Sequence, residues 1–226
     1  VAGTLVGRHV APPVRRPGRR AALADRVSAE PIPTPPGPWC PDPIRQQRAD
    51  YTLEDLPHLP DDAPRVELVD GVLRLIPFPT LGHQDISSLL ALWLRAHAPE
   101  HLRATQAVGV ALDAKNTRQP DVLLRRADVR ADRSLLQPED VVLAVEVVSP
   151  GTRRIDRFAK PAEYAAAGIP FYWRVEQDPV HVYAYRLSDR LSLGGERQYE
   201  LVADSAELIA LAEPFEIKLP VAELAG

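Results

Sequence analysis

A mixed α/β domain over residues 50–226 is the fold class that the sequence predicts, and three observations predict it. Asp70-Gly71 stands between ValGluLeuVal (66–69) and ValLeuArgLeuIle (72–76), the strongest short hairpin signal a sequence offers. Ile86, Leu89, Leu90, Trp93 and Leu94 recur at i, i+3, i+4, i+7 and i+8, which is one face of a helix. ValValLeuAlaValGluValVal (141–148) is the continuous apolar run of a strand buried on both faces. The 226-residue chain is 45% apolar and 26% charged, so a core of useful size can form.

Residues 1–48 read differently. Ten of the chain's 24 prolines precede residue 44, and ValArgArgProGlyArgArg (14–20) concentrates arginine there. Such a segment buries too little apolar surface to offset its ordering entropy and is expected to be an extended or disordered tail. Its arginines read either as a nucleic-acid arm or as solvated chain. Order is expected to begin near Tyr51, with Thr52 as a helix N-cap and Asp55 in the capping-box position. The hairpin follows, then a helix from His83 to His97 that Pro99 ends. Strands are predicted at 103–112, 121–124, 141–148, 171–175, 180–186 and 198–203. One helix lies among them at 157–167, closed by Gly168 with Pro170 just beyond.

Charge and motif content narrow the function. Residues 1–50 hold eight arginines against four carboxylates, whereas the remainder holds 19 basic and 27 acidic residues. The acidic body is unlike a generic nucleic-acid binder, whose affinity comes from cations meeting phosphates. Cys40 is the lone cysteine, so no internal disulfide and no cysteine-based zinc site can form; a reducing, cytoplasmic setting suits it. No run is long and apolar enough to span a membrane, and residues 1–48 lack the apolar core of a secretory signal. Gly-rich phosphate loops, Gly-x-Ser-x-Gly elbows and His-Glu-x-x-His are all missing. His97 and His101 have a zinc-like spacing, but Pro99 between them breaks the helix it requires.

Glu146 is the residue most out of place. An ionised carboxylate inside an apolar strand is costly unless it is paired, protonated or bound to metal, and the plain alternative is a strand-end salt bridge. Asp121 follows Pro120 and opens AspValLeuLeu; the alternative there is a turn residue. Two carboxylates on neighbouring strands can coordinate a hard divalent cation, magnesium above all, with water and phosphate completing its shell. A lysine beside them would stabilise developing charge or orient the attacking water. The chain has only three lysines, at 115, 160 and 218. Lys160 lies 14 residues past Glu146, with Asp156 four residues before it as an N-cap or a partner; the alternative is a solvent-facing helix residue.

These residues resemble a known family. GluValValSerProGlyThrArgArgIleAspArgPheAlaLys (146–160) and TyrAlaAlaAlaGlyIleProPheTyrTrp (164–173) are similar to blocks of the Uma family of bacterial restriction-endonuclease-like proteins. ValGluLeuValAspGlyValLeu (66–73), His83 with Ile86, and GlnProAspValLeuLeu (119–124) match its other blocks in the same order, over about 50–220. The resemblance implies the PD-(D/E)-x-K nuclease superfamily and a restriction-endonuclease-like core, a central mixed β-sheet flanked by helices. It implies Asp121 and Glu146 as the acidic pair, with the backbone carbonyl of Val147 completing the metal ligands. The usual lysine would fall at Val148, so the standard motif is broken, and the family's displaced lysine corresponds to Lys160. Pro161 must then sit in the first helical turn or distort the helix.

Glu67 reads as a further carboxylate near the metal or as a polar-face strand residue; His83 as a phosphate contact or a capping histidine. Tyr164, Tyr172 and Trp173 read as core. The implied activity is Mg2+-dependent phosphodiester hydrolysis, with Mn2+ as a substitute, by a DNA endonuclease acting on double-stranded DNA, and a homodimer would let paired sites cut both strands. The alternative is a nuclease fold that binds nucleic acid without turnover, which Val148 and the acidic body favour. No base-reading motif separates DNA from RNA.

Overall fold

The computed structural model describes residues 50–59, 63–151 and 153–225; the Arg/Pro-rich tail expected at 1–48 lies outside the described residues. Asp70 and Gly71 both take positive φ, 51° and 76°, as a two-residue turn matching the twist of its strands requires. They join β1 (Val66–Val69) to β2 (Val72–Leu75) with Val69 opposite Val72. Helix α1 (Leu81–His97) starts two residues earlier than expected, because Thr80 is its N-cap and accepts a hydrogen bond from the His83 amide. Its apolar stripe of Ile86, Leu90, Trp93 and Leu94 is buried.

Two sequence expectations fail locally. Thr52 does not open an α-helix. Its amide donates to Asp55 Oδ2 at 2.8 Å and closes a turn that leads only into a short 3₁₀ helix, Leu56–His58. Pro57 has no amide to continue an α-helical ladder. The strand predicted at 103–112 is two strands, β3 (Leu102–Gln106) and β4 (Gly109–Asp113), because Ala107 turns the chain with φ of 57°.

The remaining strands are β5 (Asn116–Arg118), β6 (Val122–Arg126), β7 (Leu135–Leu136) and β8 (Val141–Val147). Helix α2 (Lys160–Ala167) separates these from β9 (Phe171–Gln177), β10 (Val180–Leu187), β11 (Tyr199–Ser205), β12 (Leu208–Leu211) and β13 (Ile217–Pro220). Six strands form one mixed sheet in the order β11-β10-β9-β8-β6-β3, in which only β8 and β9 run parallel.

Strand β8 lies within this sheet and alternates between two cores. Leu143, Val145 and Val147 face α1, Trp173 and Val175; Ala144 faces Leu123, Tyr164, Ile169 and Tyr172. The pleat therefore puts Glu146 on the second face, at the strand's C-terminal end, beneath α2. Gly168 closes α2 in the left-handed conformation, with φ of 84°. Among the described residues no helix is long and apolar enough to cross a membrane.

Candidate active site

The sheet end below α2 gathers buried charge. Glu146 is 1% exposed and keeps both oxygens occupied. Lys160 Nζ donates to Oε2 at 2.6 Å, and the Tyr164 hydroxyl donates to Oε1 at 2.6 Å. Lys160 also lies 3.0 Å from Asp156 Oδ1, so one ammonium bridges two carboxylates. Asp121, just ahead of β6, is tied to both neighbours of Glu146. Its amide donates to the Val145 carbonyl at 3.0 Å, and its Oδ2 accepts from the Val147 amide at 2.8 Å. His83, on the first turn of α1, brings Nε2 to 3.2 Å from that same Oδ2, and its ring also contacts the Val147 backbone.

A local irregularity delivers Lys160. Residues Ile155–Ala159 form a π-helical turn, with the Lys160 amide bonding back to Ile155, before α2 resumes ordinary geometry. Pro161 sits just inside the start of α2, where its missing amide and its ring conflict with a straight continuation of the preceding turn. The wider turn is one of the forms helices take at functional sites.

Electrostatics follow the crowding. Burial, reinforced by the charges of Asp121 and Asp156, pushes the Glu146 carboxyl up to about 8 against the pull of Lys160. Burial alone would lower the Lys160 ammonium, but Glu146 and Asp156 outweigh it and raise it. Burial would also lower His83; the hydrogen bond and charge of Asp121 reverse that and raise it. Tyr164 is driven well above its ordinary value by burial and by Glu146, so it stays a hydroxyl donor.

The donor set fits a hard cation. Asp121 is 24% exposed at its side chain, and its Oδ1 has no partner among the described residues. Glu146 accepts one bond at each oxygen, which leaves further lone pairs. The described residues hold no cluster of three or more such donors arranged as a cage. One or two carboxylates are the smaller protein set that magnesium usually takes, the rest being water and phosphate.

Residues 53–222 match the sequence model of the Uma2 family, described as "Putative restriction endonuclease". The chain belongs to the Uma2 family. No curated protein matches it. Among solved structures, the fold is similar to the crystal structure of a "putative nuclease belonging to DUF820" from Anabaena variabilis. That likeness has a TM-score of 0.58 and 16% identity, covering 77% of this chain and 97% of that one, and it supports the fold.

In this Uma2 member the place two residues beyond Glu146 holds Val148, 4% exposed, whose amide bonds to Val175 and whose carbonyl accepts from Gln177. Lys160 reaches Glu146 from the helix instead. Of the residues singled out from sequence, Asp121, Glu146, Val147, Asp156, Lys160 and His83 come together. Glu67 makes no hydrogen bond to them, since Oε1 accepts from the Gln119 amide and Oε2 from Arg118, but its charge is near enough to act on Lys160 and Tyr164.

Two contributors went unrecognised. Tyr164 packs the core as expected, yet it also holds Glu146; its place four residues after Lys160, on one helical face, was the available signal. Arg118 is buried and forks onto Glu163 at 2.6 and 2.7 Å while reaching Glu67 at 2.9 Å, fastening α2 to the hairpin. No local pattern announces it.

Proposed function

We propose that the chain is a metal-dependent phosphodiester hydrolase, an endonuclease acting on DNA. The observation that carries this is the 2.6 Å contact of Lys160, one of only three lysines in the chain, with Glu146 beside Asp121, in a member of the Uma2 family. Asp121, Glu146 and the Val147 carbonyl would hold Mg2+, or Mn2+ in its place. Bound there, the ion would neutralise phosphate charge and lower the pKa of a bound water.

The chain's own residues do the rest. Lys160 keeps its proton between Glu146 and Asp156 and presents a fixed positive charge where an attacking water or the developing phosphorane charge is steadied. Tyr164 fixes one oxygen of Glu146 and thereby its orientation. His83 and the Val147 amide hold Oδ2 of Asp121, which leaves Oδ1 for the ion. In-line attack would leave a 5′-phosphate. Cutting both strands of a duplex calls for two such sites, which a homodimer would supply.

Incubation of supercoiled plasmid with Mg2+ or Mn2+ tests the reading. Nicking or linearisation is expected for the wild type and should vanish with EDTA and in Glu146→Gln; cleavage that survives in Glu146→Gln would refute this site. The second reading is a nuclease fold that binds nucleic acid without turnover. It draws on Val148 and on the fact that Asp121 and Glu146 already carry His83 and Lys160. A wild type that binds the plasmid without cutting it in either metal would favour it.

A further inference from the structure

Arg174 occupies β9 directly across from Glu146 in the parallel β8–β9 register and across from Tyr183 of β10. Residues paired in this way share a sheet face, and neighbouring strands lie about 4.8 Å apart. Arg174 thus stands beside Glu146 on the β9 side, opposite the side that Asp121 takes.

Its contacts are unusual for an arginine whose side chain is only 16% exposed. The guanidinium carbon lies 4.1 Å from the centroid of Tyr183 and 5.9 Å from that of Tyr185, so the flat face of the group is committed to aromatic rings. Nε stands 3.3 Å from Glu176 Oε1, but that carboxylate is already gripped at both oxygens by Arg157, at 2.9 Å each. Nε is left without a hydrogen bond, and neither Nη nitrogen has an acceptor among the described residues. Two arginines share one carboxylate, leaving a local positive charge on a body otherwise rich in acid. Stacking uses the face of a guanidinium and leaves its edge free, and that edge matches phosphate oxygens in pairs.

We propose that Arg174 is a phosphate-binding residue, holding the backbone of a nucleic-acid strand beside the reacting phosphodiester. The identity of the ligand rests on the nuclease reading above; the placement rests on the Arg174 geometry. Tyr183 pre-orients the guanidinium, and Arg157, on the π-helical turn before Lys160, ties up the carboxylate that would otherwise neutralise it. The strand would meet positive charge where it crosses the sheet end, although the body as a whole repels it.

Fluorescence anisotropy with a fluorescein-labelled duplex and its single strand tests this, using the full chain, Arg174→Gln and Arg174→Lys across a salt series. Arg174→Gln should weaken binding about tenfold, the loss of one charged hydrogen-bond pair. It should also flatten the slope of log affinity against log salt by about one, which a purely structural arginine would not do. Arg174→Lys should keep the slope and lose part of the affinity, because the charge remains and the fork does not. Unchanged affinity and slope in Arg174→Gln, beside a wild type that binds, would overturn this assignment and leave the nuclease reading standing. A wild type with no affinity for either probe would instead sink the nuclease reading, and this assignment with it. Should Arg174→Gln fail to fold by circular dichroism, Arg174→Lys decides alone, and wild-type affinity in it overturns the proposal.

Discussion

Among the described residues, two buried cations are each set between two carboxylates, and they behave as opposites. Arg118 sits between Glu67 and Glu163; Lys160 sits between Glu146 and Asp156. Arg118 spends its fork in fixed geometry, bidentate on one carboxylate and single on the other, while a backbone amide takes up the spare oxygen of Glu67. That arrangement is closed, and it fastens the hairpin to α2. Lys160 is a compact point charge with a third carboxylate, Asp121, close enough to raise Glu146 further. Its three carboxylates share Lys160 and His83, and one oxygen of Asp121 has no hydrogen-bond partner among the described residues. Equal ingredients thus make a closed staple in one place and, in the other, an acid-rich cluster where the proposed metal would bind.

The largest expected effect separates the two by function. Lys160→Met should slow metal-dependent cleavage by about a hundredfold to a thousandfold, the range for removing one aligned donor from a developing charge. Its cost in stability should be smaller, since Glu146, already held up to about 8, stays protonated at neutral pH without the ammonium. Arg118→Met should do the reverse. Glu67 and Glu163 would be left without their cation, at a cost of about 3 kcal/mol; Glu163 is 31% exposed, which keeps the figure at the low end. Urea melts and plasmid cleavage on both variants check the contrast, and a Lys160→Met protein as destabilised as Arg118→Met would erase it.

A smaller effect sharpens the comparison through pH. The folded chain holds Glu146 up to about 8, above its ordinary 4.5, so over that interval it keeps a proton that the unfolded chain releases. This group's contribution to stability is therefore present at low pH and lost as pH rises toward 8. Melts at about pH 5 and about pH 8 should show the wild type losing more stability than Glu146→Gln over the interval. Equal losses would mean that Glu146 is ionised throughout.

How much of this was legible in the sequence follows the range of the interactions. The hairpin at Asp70-Gly71, the stripe of α1 and the apolar run of β8 are local patterns, and each became the element it predicted. Glu146 was visible because a carboxylate breaks that run, and Lys160 because lysine is scarce here. Ala107 was not visible, since an alanine carries no warning of positive φ, and it divided one predicted strand into two. The strands β5, β7, β12 and β13 were missed because they are two to four residues long and take their shape from partners. Arg118 meets Glu163 and Glu67 across 45 and 51 positions of sequence, and the free edge of Arg174 depends on Arg157 having claimed Glu176. Pairings of that span exist only once the sheet is assembled.

Titration calorimetry with Mg2+ and Mn2+ is the most direct test that the Lys160 cluster, and not the Arg118 cluster, is the cation site. The account predicts binding heat for the wild type and for Arg118→Lys, and its loss in Asp121→Asn. Undiminished heat in Asp121→Asn, or none in the wild type with either metal, would contradict it.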